Sequence, residues 1–399
     1  MVTYPSEWEK LQLKDLGYIQ MCRRIFQSQT KEYGAIPFYK ISTFGGKADA
    51  YISQDLYEKY RALYPYPEKG DVLLSAAGTV GKAVIFDGKD SYFQDSNIVW
   101  LKVDKDAVDR VFLWWFYRSF PWDALEGTTI QRLYNNIILN TEIHLPKKPE
   151  QKTIADTLSL FDRYIEDLTE LIEKKCGIRD GALEDLILHK TRLVGFNGDW
   201  EKVSFNQVIT PKARIGWQGL KKHEYLRSGY SYLIGGTDFS NGTINLDNIW
   251  KVSKERYEMD SNIQVKENDV LVTKDGTIGK VALVPKLSKP ATLNSGVFVF
   301  KTTDKLEPTF LYRVLSSSVF REFIDTLSAG STIKHLYQKD LKNFEFEIPK
   351  DKAEQKAIAD TLTKMDEEIT ALENEREKMI QIREGAMDDL LTGRVRLTK

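Results

Sequence analysis

Two stretches of the chain place apolar residues at alternating steps of four and three positions. The steps run from Ile154 to Ile172 in the first stretch and from Ile358 to Met379 in the second. This spacing puts the apolar side chains on one face of an α-helix, and it is the a/d pattern of a coiled coil. The pattern predicts two helices of about 35–40 residues, roughly 55 Å long at ~1.5 Å per residue. The predicted seam residues are Ile154, Leu158, Phe161, Ile165, Leu168, Ile172, Ile358, Leu362, Met365, Ile369, Leu372 and Met379.

The predicted seam carries too much apolar surface to remain in water, and three arrangements would bury it. The two helices can pair with each other, each can pack on its own globular neighbour, or two chains can pair. Pairing within the molecule is the simplest arrangement because one chain carries both helices. An antiparallel pair would place two globular domains at opposite ends, related by an approximate twofold axis, and would hold them at a fixed separation.

The two helical stretches are copies of each other. Residues 150–193 align without a gap with residues 354–397, at an offset of 204, and 21 of the 44 aligned positions are identical. Chance does not produce such a match over an ungapped segment, so the chain contains an internal duplication. Gly393 suits a helix C-terminus, but the matching position holds His189, so we expect the first helix to exit differently.

The longer segments repeat more loosely, around fixed anchors. Trp8–Lys10 matches Trp200–Lys202, and the glycine-bounded Gly78–Lys82 matches Gly276–Lys280. Between the anchors the two copies share little, so a common frame carries different inserts. The predicted domains are 1–149 and 194–352, and the predicted helical segments are 150–193 and 353–399.

Each long segment mixes strand, turn and helix signals. Runs of β-branched and apolar residues flank the glycine turns, which predicts a hairpin in each segment. We expect an α+β fold in which two pseudo-symmetric α/β domains are joined by two long antiparallel coiled-coil helices. The predicted hairpin strands are Val72–Leu74 with Lys82–Phe86 and Val270–Thr273 with Lys280–Val284; the further strands are Ile98–Val103 and Val297–Lys301, and the short helices are Val111–Tyr117 and Thr309–Ser316.

Composition and charge narrow the class of protein. The 399 residues are 42% hydrophobic and 29% charged, which is typical of a globular chain with room for two domains. The chain contains no run of 18 apolar residues, so no membrane helix is predicted. Its two cysteines are too few for disulfide bonds to stabilise a chain of this size, and we expect a cytoplasmic protein. The net charge is −1, but residues 1–149 carry +1 and residues 194–352 carry +4. A nucleic-acid role is allowed and would need local basic patches.

The sequence offers no catalytic constellation. The repeated Gly-Thr-Val/Ile-Gly-Lys is too short for a phosphate-binding loop, which needs four residues between its first glycine and Gly-Lys. The four histidines are scattered without metal-ligand spacing, and neither a nucleophile elbow nor a dinucleotide-binding glycine fingerprint occurs. We therefore expect no catalytic and no metal-binding residues, and a binding protein rather than an enzyme.

Clusters of basic, amide and aromatic residues are the candidates for contact with nucleic acid. Arginine, asparagine, glutamine and lysine can read base edges, and lysine also binds phosphates. For any single residue, a solvated surface side chain without a ligand is the simpler interpretation. In the first domain the candidates are Arg23, Arg24, Tyr39, Lys40, Lys82, Gln131, Arg132, Tyr134 and Asn135. In the second they are Lys212, Arg214, Trp217, Lys221, Lys222, Lys274, Lys280, Lys334, His335 and Tyr337.

The duplicated order of these motifs resembles the specificity subunit of type I restriction–modification systems. The resemblance rests on the two Trp-Glu-Lys openings, the two glycine hairpins and the repeated helices, and it covers essentially the whole chain. Its most specific parts lie in the second helix, at Glu354–Ala359 and Asp389–Leu397. The domain closings match as well, at Gly127–Pro146 and Gly330–Pro349.

The resemblance implies a subunit that is not itself an enzyme. Its two target recognition domains would each read one half of a bipartite site in double-stranded DNA, while its helices would set the gap and dock two adenine methyltransferase subunits. Restriction subunits would join the full complex, and S-adenosylmethionine, ATP and magnesium would bind to these partners rather than to this chain. No membrane is implied. Two alternatives stay open: a coiled-coil interaction scaffold without a DNA role, and a specificity subunit of a fused restriction system.

Overall fold

The chain folds into two compact units. The structure is a computed structural model, and it describes residues 4–104, 107–122, 132–216, 219–328 and 335–397. Unit 1 comprises Met1–Glu170 and Glu373–Lys399, and unit 2 comprises Leu171–Leu372. The four domain ranges proposed from the sequence, which treat each helix as a separate segment, stay a prediction.

Unit 1 combines three sheets with helices. Its strands are β1 (Glu9–Gln12), β2 (Gly17–Gln20), β3 (Ile36–Tyr39), β4 (Tyr51–Ile52), β5 (Val72–Ser75), β6 (Ala83–Ile85), β7 (Tyr92–Phe93), β8 (Ile98–Val103) and β9 (Glu142–Leu145). Its helices are α1 (Leu13–Leu16), α2 (Gln54–Leu63), α3 (Arg110–Ser119), α4 (Asn135–Asn140), the first part of α5 (Lys148–Ile187) and the second part of α10 (Lys352–Leu391). Strand β1 pairs with β9, and two further sheets have the orders β2-β8-β5-β6 and β4-β3-β7.

Unit 2 is built from the same kinds of element. Its strands are β10 (Trp200–Ser204), β11 (Ile209–Ala213), β12 (Ser231–Ile234), β13 (Phe239–Ser240), β14 (Thr243–Ile244), β15 (Lys251–Val252), β16 (Gln264–Val265), β17 (Val270–Thr273), β18 (Val281–Leu283), β19 (Ala291–Leu293), β20 (Val297–Thr302) and β21 (Glu345–Pro349). Its helices are α6 (Phe205–Val208), α7 (Lys254–Glu258), α8 (Pro308–Ser316), α9 (Ser318–Ser328), the second part of α5 and the first part of α10. Strand β10 pairs with β21, and two further sheets have the orders β11-β20-β17-β18-β14-β13 and β15-β12-β19-β16.

The two units share a central frame. In both, the opening strand pairs antiparallel with the strand that precedes a long helix, β1 with β9 and β10 with β21. The sheet order β2-β8-β5-β6 of unit 1 reappears as β11-β20-β17-β18 in unit 2. Both predicted hairpins are confirmed, because β5 pairs antiparallel with β6 and β17 with β18. The predicted α+β class is confirmed by this mixture of sheets and helices.

The long helices have the predicted length. Helices α5 and α10 contain 40 residues each. The shorter predicted elements are confirmed too: β8 and β20 are the two further strands, and α3 and α8 are the two short helices. Within the described ranges, no helix is both long and apolar enough to cross a membrane.

The apolar face of each long helix begins in the core of a globular domain. The first turns of α5 are buried among the core residues of unit 1, and the first turns of α10 among those of unit 2. Each helix starts directly behind a strand of its domain, so its first three predicted seam residues pack in the domain core. Their part in a helix–helix seam stays a prediction, because each core also contains residues from the end of the opposing helix. The first three predicted seam residues are Ile154, Leu158 and Phe161 in α5 and Ile358, Leu362 and Met365 in α10.

The remaining six predicted seam residues lie nearer the middle and the second half of the helices. All of them are buried or half-buried, as residues on a contact face must be. Their pairing across the two helices stays a prediction. They are Ile165, Leu168, Ile172, Ile369, Leu372 and Met379.

Polar contacts show that the two long helices run antiparallel beside each other. In unit 1, Arg383 of α10 donates to Asp162 of α5 at 2.8 Å, and the Tyr164 hydroxyl donates to Glu375 at 2.5 Å. Residue numbers rise along one helix as they fall along the other. The predicted antiparallel pairing within one chain is confirmed. Two contacts in unit 2 show the same antiparallel order of the helices, Lys175–Glu368 and Arg179–Asp366.

Helices α5 and α10 end in the same way, so the expectation of a different exit is wrong. His189 has a left-handed backbone with φ of 55°, and Gly393 at the matching position has φ of 71°. The carbonyls of Asp185 and Asp389 accept bonds from amides beyond these residues, at 2.9 and 3.2 Å. The His189 ring stacks on Trp200 with centroids 4.5 Å apart. This stacking offsets the cost of a left-handed conformation at a residue with a Cβ.

Candidate nucleic-acid interface

A glycine-bounded hairpin forms the centre of the candidate site in each unit. In unit 1, Gly78 and Gly81 have φ of 68° and 85°, a conformation that residues with a Cβ rarely adopt. The Ser75 hydroxyl donates to the Thr79 carbonyl at 2.5 Å and accepts from the Lys82 amide at 2.8 Å. The matching residues of unit 2 make the same two bonds. These internal bonds explain the repeated motif as a turn, without a role in binding nucleotide phosphates.

Two segments dock at the end of the unit 1 hairpin strand. The Leu133 amide donates to the Ala76 carbonyl at 2.7 Å, and the Ala76 amide donates to the Asn97 carbonyl at 2.8 Å. The Arg132 guanidinium donates to the Ser96 carbonyl at 3.1 Å, across 36 positions of sequence. The fold thus brings the loop before β8 and the segment before α4 to one place.

A third segment, which follows strand β2, adds two exposed arginines at the same place. Met21 lines one cleft together with Arg23 and Arg24, and it lines a neighbouring cleft together with Arg132. The Arg23 guanidinium lies 5.3 Å from the centroid of the Tyr64 ring. A planar guanidinium held over an aromatic ring keeps its edge free to donate hydrogen bonds to a base or a phosphate.

Exposed aromatic and amide side chains complete this part of unit 1. Arg24 lies 5.6 Å from the centroid of Phe26, whose ring is exposed. Tyr134 is 60% exposed, and Asn135 beside it is exposed as well. Rings can stack on bases or wedge between them, and amides can read base edges. We call this set the unit 1 surface: Arg23, Arg24, Phe26, Arg132, Tyr134 and Asn135.

Unit 2 repeats the arrangement with different side chains. The Leu336 amide donates to the Lys274 carbonyl at 2.8 Å, and the Lys274 amide donates to the Gly296 carbonyl at 2.9 Å. His335 forms a β-bridge with Asp275 and pairs with its carboxylate. The hairpin, the loop before the next strand and the returning segment therefore meet at the same position of the frame as in unit 1.

The segment that follows β11 supplies further basic residues to unit 2. Its Tyr225 hydroxyl donates to Asn294 at 3.4 Å, so this segment lies against the loop before β20. Lys221 and Lys222, a few positions earlier, are exposed. The Tyr337 ring is exposed beside His335. We call this set the unit 2 surface: Lys221, Lys222, His223, Lys274, His335 and Tyr337.

Arg214 is not part of the unit 2 surface, which corrects the prediction for this residue. It is only 3% exposed, and its Nε donates to the Leu293 carbonyl at 2.9 Å. A second nitrogen lies 3.4 Å from the Thr292 hydroxyl. Burial lowers the pKa of this guanidinium. Arg214 therefore supports the segment that carries the exposed lysines instead of meeting DNA itself.

Three further candidates of unit 1 are already engaged within the protein. Tyr39 is half-buried. Lys40 pairs with Asp49 at 2.9 Å, and the Lys82 ammonium donates to the Phe44 carbonyl at 2.5 Å. The structure does not place these three residues with the unit 1 surface.

The remaining candidates divide into two groups. Lys212 is half-buried in β11, and Lys280 is exposed at the end of the unit 2 hairpin. Gln131, Trp217 and Lys334 lie outside the described residues, and so do the predicted closing glycines Gly127 and Gly330.

Reasoning from the sequence missed the loops that hold each surface together. Both loops contain polar residues directly before a buried strand: residues 94–97 precede β8, and Asn294–Gly296 precede β20. Ser96 has φ of 53°, which is uncommon for serine and exposes its carbonyl to Arg132. A polar run repeated before equivalent strands is the signal that could have identified these loops.

The surroundings of the unit 1 surface include one buried thiol, that of Cys22. Among the described residues, no group of three or more histidine, cysteine and acidic side chains could hold a metal ion. Burial raises the pKa of the Cys22 thiol beneath the unit 1 surface to about 12, so this thiol stays protonated.

Matched ion pairs tie the end of one long helix to the start of the other. In unit 1, Arg396 beyond α10 donates to both carboxylate oxygens of Glu150, at 2.6 and 2.8 Å. In unit 2, Arg192 beyond α5 does the same to Glu354, at 2.8 and 2.7 Å. Both carboxylates are buried, with exposures of 6% and 1%. The hydrogen bonds to Glu354 raise the pKa of Arg192.

Comparison with known proteins gives a consistent result. The family described as "Type I restriction modification DNA specificity domain" matches residues 5–175 and again residues 197–381. The putative type I restriction enzyme specificity subunit S.HindORF215P of Haemophilus influenzae is 49% identical over 160 residues, which are 40% of this chain and 42% of that protein. The putative type I restriction enzyme MjaX specificity subunit of Methanocaldococcus jannaschii is 26% identical over 423 residues, 98% of this chain and 95% of that protein. The crystal structure of a type I restriction–modification S subunit from M. genitalium has a similar fold, with a TM-score of 0.60, 18% identity and 96% of each chain covered.

Proposed function

The chain belongs to the type I restriction modification DNA specificity family, and from this premise we propose that it reads a bipartite DNA site, one half-site with each unit. As a specificity subunit it is not itself an enzyme, and it works in a complex with DNA and other subunits. The enzymatic steps therefore belong to its partners, while this chain supplies the choice of sequence.

One observation carries the proposal: the same position of a repeated frame presents different side chains in the two units. In unit 1 that position holds Arg132, and in unit 2 it holds His335, although the neighbouring leucine amides make the same hairpin bond. A frame that is kept while its exposed side chains change is what two readers of different sequences require. A scaffold without a DNA role has no need for this difference.

The side chains of the two surfaces suit the grooves of DNA. Arginine and asparagine on the unit 1 surface can each make paired hydrogen bonds to a base edge in the major groove, arginine to guanine and asparagine to adenine. The lysines of the unit 2 surface suit phosphates as well as guanine, and histidine can join them as a donor. The exposed tyrosine of each surface supplies a ring for stacking. The two surfaces therefore suit two different half-sites.

We further propose that the long helices set the gap between the half-sites and dock two adenine methyltransferase subunits. Each helix contributes one half to each unit, so the helix pair links the two surfaces. The sequence repeat of 21 identities in 44 positions offers two equivalent docking faces. In this proposal S-adenosylmethionine, ATP and magnesium bind to the methyltransferase and restriction partners, and this chain binds none of them.

A methylome tests the proposed function. The chain is expressed with its methyltransferase subunit in a host that lacks adenine methylation, and methyladenine is mapped by long-read sequencing. The proposal predicts a motif with two short defined halves and one fixed gap. A culture that expresses the methyltransferase subunit alone is the control and should lack the motif. A continuous motif, or no methylation despite a soluble complex, would contradict the proposal.

A further inference from the structure

In unit 1, one aspartate of α5 binds arginines from two other helices. Asp162 accepts from Arg118 of α3 at 2.5 Å and from Arg383 of α10 at 2.8 Å, one arginine on each carboxylate oxygen. The Arg118 guanidinium is also held 4.5 Å from the ring centroids of both Trp114 and Trp115. This group, which we call the unit 1 node, therefore joins the domain, its own long helix and the opposing long helix at one point.

Unit 2 contains a corresponding node, although its domain arginine occupies a different position of the short helix. Asp366 of α10 accepts from Arg313 of α8 and from Arg179 of α5, each at 2.6 Å and again on separate oxygens. Arg313 is buried, and its second nitrogen donates to the Thr363 hydroxyl at 2.8 Å. We call this group the unit 2 node. Each aspartate accepts two charge-assisted bonds from side chains that are held in place by their own neighbours.

The nodes recur in both copies of the helical repeat, as do the ion pairs of Arg396 with Glu150 and of Arg192 with Glu354 at the helix ends. Asp162 and Asp366 are 204 positions apart, which is the offset of the repeat, and so are Arg179 and Arg383. The Tyr164–Glu375 bond has no such counterpart, because the position that matches Tyr164 in the second copy of the repeat holds a glutamate, Glu368. The nodes are therefore a feature of the duplicated frame and not of one surface.

An apolar seam by itself does not specify the register of two helices, and in this chain the domain cores and the ion pairs at the helix ends contribute to it together with the nodes. Sliding one helix by seven residues pairs the same kinds of apolar side chain again, and buried or half-buried polar groups are the usual means of excluding this. A slip of seven residues moves the helix by roughly 10 Å at ~1.5 Å per residue. That distance is well beyond the reach of an ion pair, so a slip would leave each aspartate without its partner on the opposing helix.

We propose that Asp162 and Asp366, with their four arginines, are positioning residues that fix the register of the helix pair and thereby the length of the gap in the DNA site. The link to the gap rests on the proposed function, whereas the link to the register does not. A slip of one heptad corresponds to about three base pairs at ~3.4 Å each. The nodes thus act on the spacing of the half-sites and leave their base sequences unchanged.

The gap length in a methylome tests the proposal. The double variant Asp162→Asn/Asp366→Asn removes both charges and keeps the shape of the side chains. We expect the two half-sites to stay the same while methylation spreads over more than one gap length. The control is Asp156→Asn/Asp360→Asn, an equivalent pair on the exposed faces of the same helices, which should keep the single gap. The charge-preserving variant Asp162→Glu/Asp366→Glu should keep it as well.

Cross-linking tests the register without DNA. In a Cys176→Ser background, a short bis-maleimide should join cysteines introduced at Tyr164 and Glu375, which touch in unit 1. In the Asp162→Asn/Asp366→Asn background we expect this cross-link to weaken at least twofold, whereas the Asp156→Asn/Asp360→Asn control should keep it.

The outcomes separate this proposal from the proposed function. A single unchanged gap together with unchanged cross-linking in the double variant overturns the role of the nodes. A wild-type chain that gives no split motif defeats the proposed function instead, and the cross-linking still decides the register. If the double variant does not fold, a thermodynamic cycle with Asp162→Asn, Arg383→Gln and their combination replaces it. Additive losses in melting temperature would then refute the node, and non-additive losses would support it.

Discussion

In unit 1 the segment beside the glycine hairpin presents Arg132, and in unit 2 the matching segment presents His335. The amides of the next residues, Leu133 and Leu336, bind the hairpin at 2.7 and 2.8 Å. The placement of each segment is thus set by main-chain bonds, which do not depend on the exposed side chain. The chemistry offered to a ligand is set by the side chain alone.

This difference between frame and surface explains how one fold can serve two half-sites. Apart from the turn glycines, residues of the frame are buried, and the two units hold equivalent apolar, hydroxyl or glycine residues at these positions. Residues of the surfaces are exposed or half-buried and differ between the units in charge, size and hydrogen-bonding groups. Matched substitutions in the frames of unit 1 and unit 2 should therefore have equal effects on their own units. A substitution in one surface should change the reading of one half-site only.

Removing matched core residues should have the largest effect and should be the same in both units. Leu158 and Leu362 occupy equivalent positions and are fully buried in the cores of unit 1 and unit 2. We expect Leu158→Ala and Leu362→Ala each to lower the free energy of unfolding by about 2–5 kcal/mol, because each leaves a cavity. Native-state hydrogen exchange measures the loss within each unit.

The exposed Ile178 of α5 provides the control for this pair. Ile178→Ala should leave hydrogen exchange nearly unchanged because its side chain packs against little. A large loss in only one of the two leucine variants would show that the units do not share an equivalent frame.

The two helix exits should respond differently to substitution, although their backbones agree. A Cβ at Gly393 would lie 2.6 Å from Pro5 and 3.1 Å from Trp8. We expect Gly393→Ala to cost about 1–3 kcal/mol through this overlap and the left-handed backbone. His189→Gly should change stability by no more than about 1 kcal/mol, since it loses the ring stacking but relieves the backbone. Thermal unfolding distinguishes them, and equal shifts would contradict the description of the exits.

Acidification should have the smallest effect and should weaken unit 1 more than unit 2. Burial lowers the pKa of His144 in β9, where its ring stacks on Tyr4 with centroids 3.7 Å apart. The unfolded chain protonates this histidine below about pH 6.5, whereas the folded state resists the proton. The contribution of neutral His144 to stability is therefore present above that pH, and it is lost as the pH falls through the lowered pKa of the folded state. Glu347 holds the matching position in unit 2.

Hydrogen exchange of each unit at pH 7 and pH 5.5 measures this dependence. His144→Gln should remove the part of the pH dependence that is specific to unit 1. An equal loss of protection in both units, or a difference that persists in His144→Gln, would exclude the histidine as its cause.

The parts of the fold that the sequence predicts well depend on local spacing. The heptad pattern gave two long helices, and the structure shows 40 residues in each. The paired glycines predicted both hairpins because positive φ angles at the turn select glycine. The helix exit at His189 escaped prediction because its stacking partner, Trp200, lies beyond the helix and belongs to the next strand.

The candidate site was harder to predict, because it is assembled from segments far apart in the chain. Arg214 was assigned to the surface, but it is buried, and its Nε donates to the carbonyl of Leu293, 79 positions later in the chain. Arg132 and Ser96 meet only after the sheet has formed. Composition identifies which side chains can bind DNA, whereas tertiary structure decides which of them remain free to do so.

The most direct measurement compares the methylomes of Arg132→Ala and His335→Ala with that of the wild-type chain. If each unit reads its own half-site, each variant should relax or lose one half of the motif, with about 1–3 kcal/mol of discrimination removed at the affected base pair. The other half and the gap should stay unchanged, and the two variants should affect opposite halves. Changes in both halves from either variant, or in the same half from both, would contradict the account of two independent readers on one repeated frame.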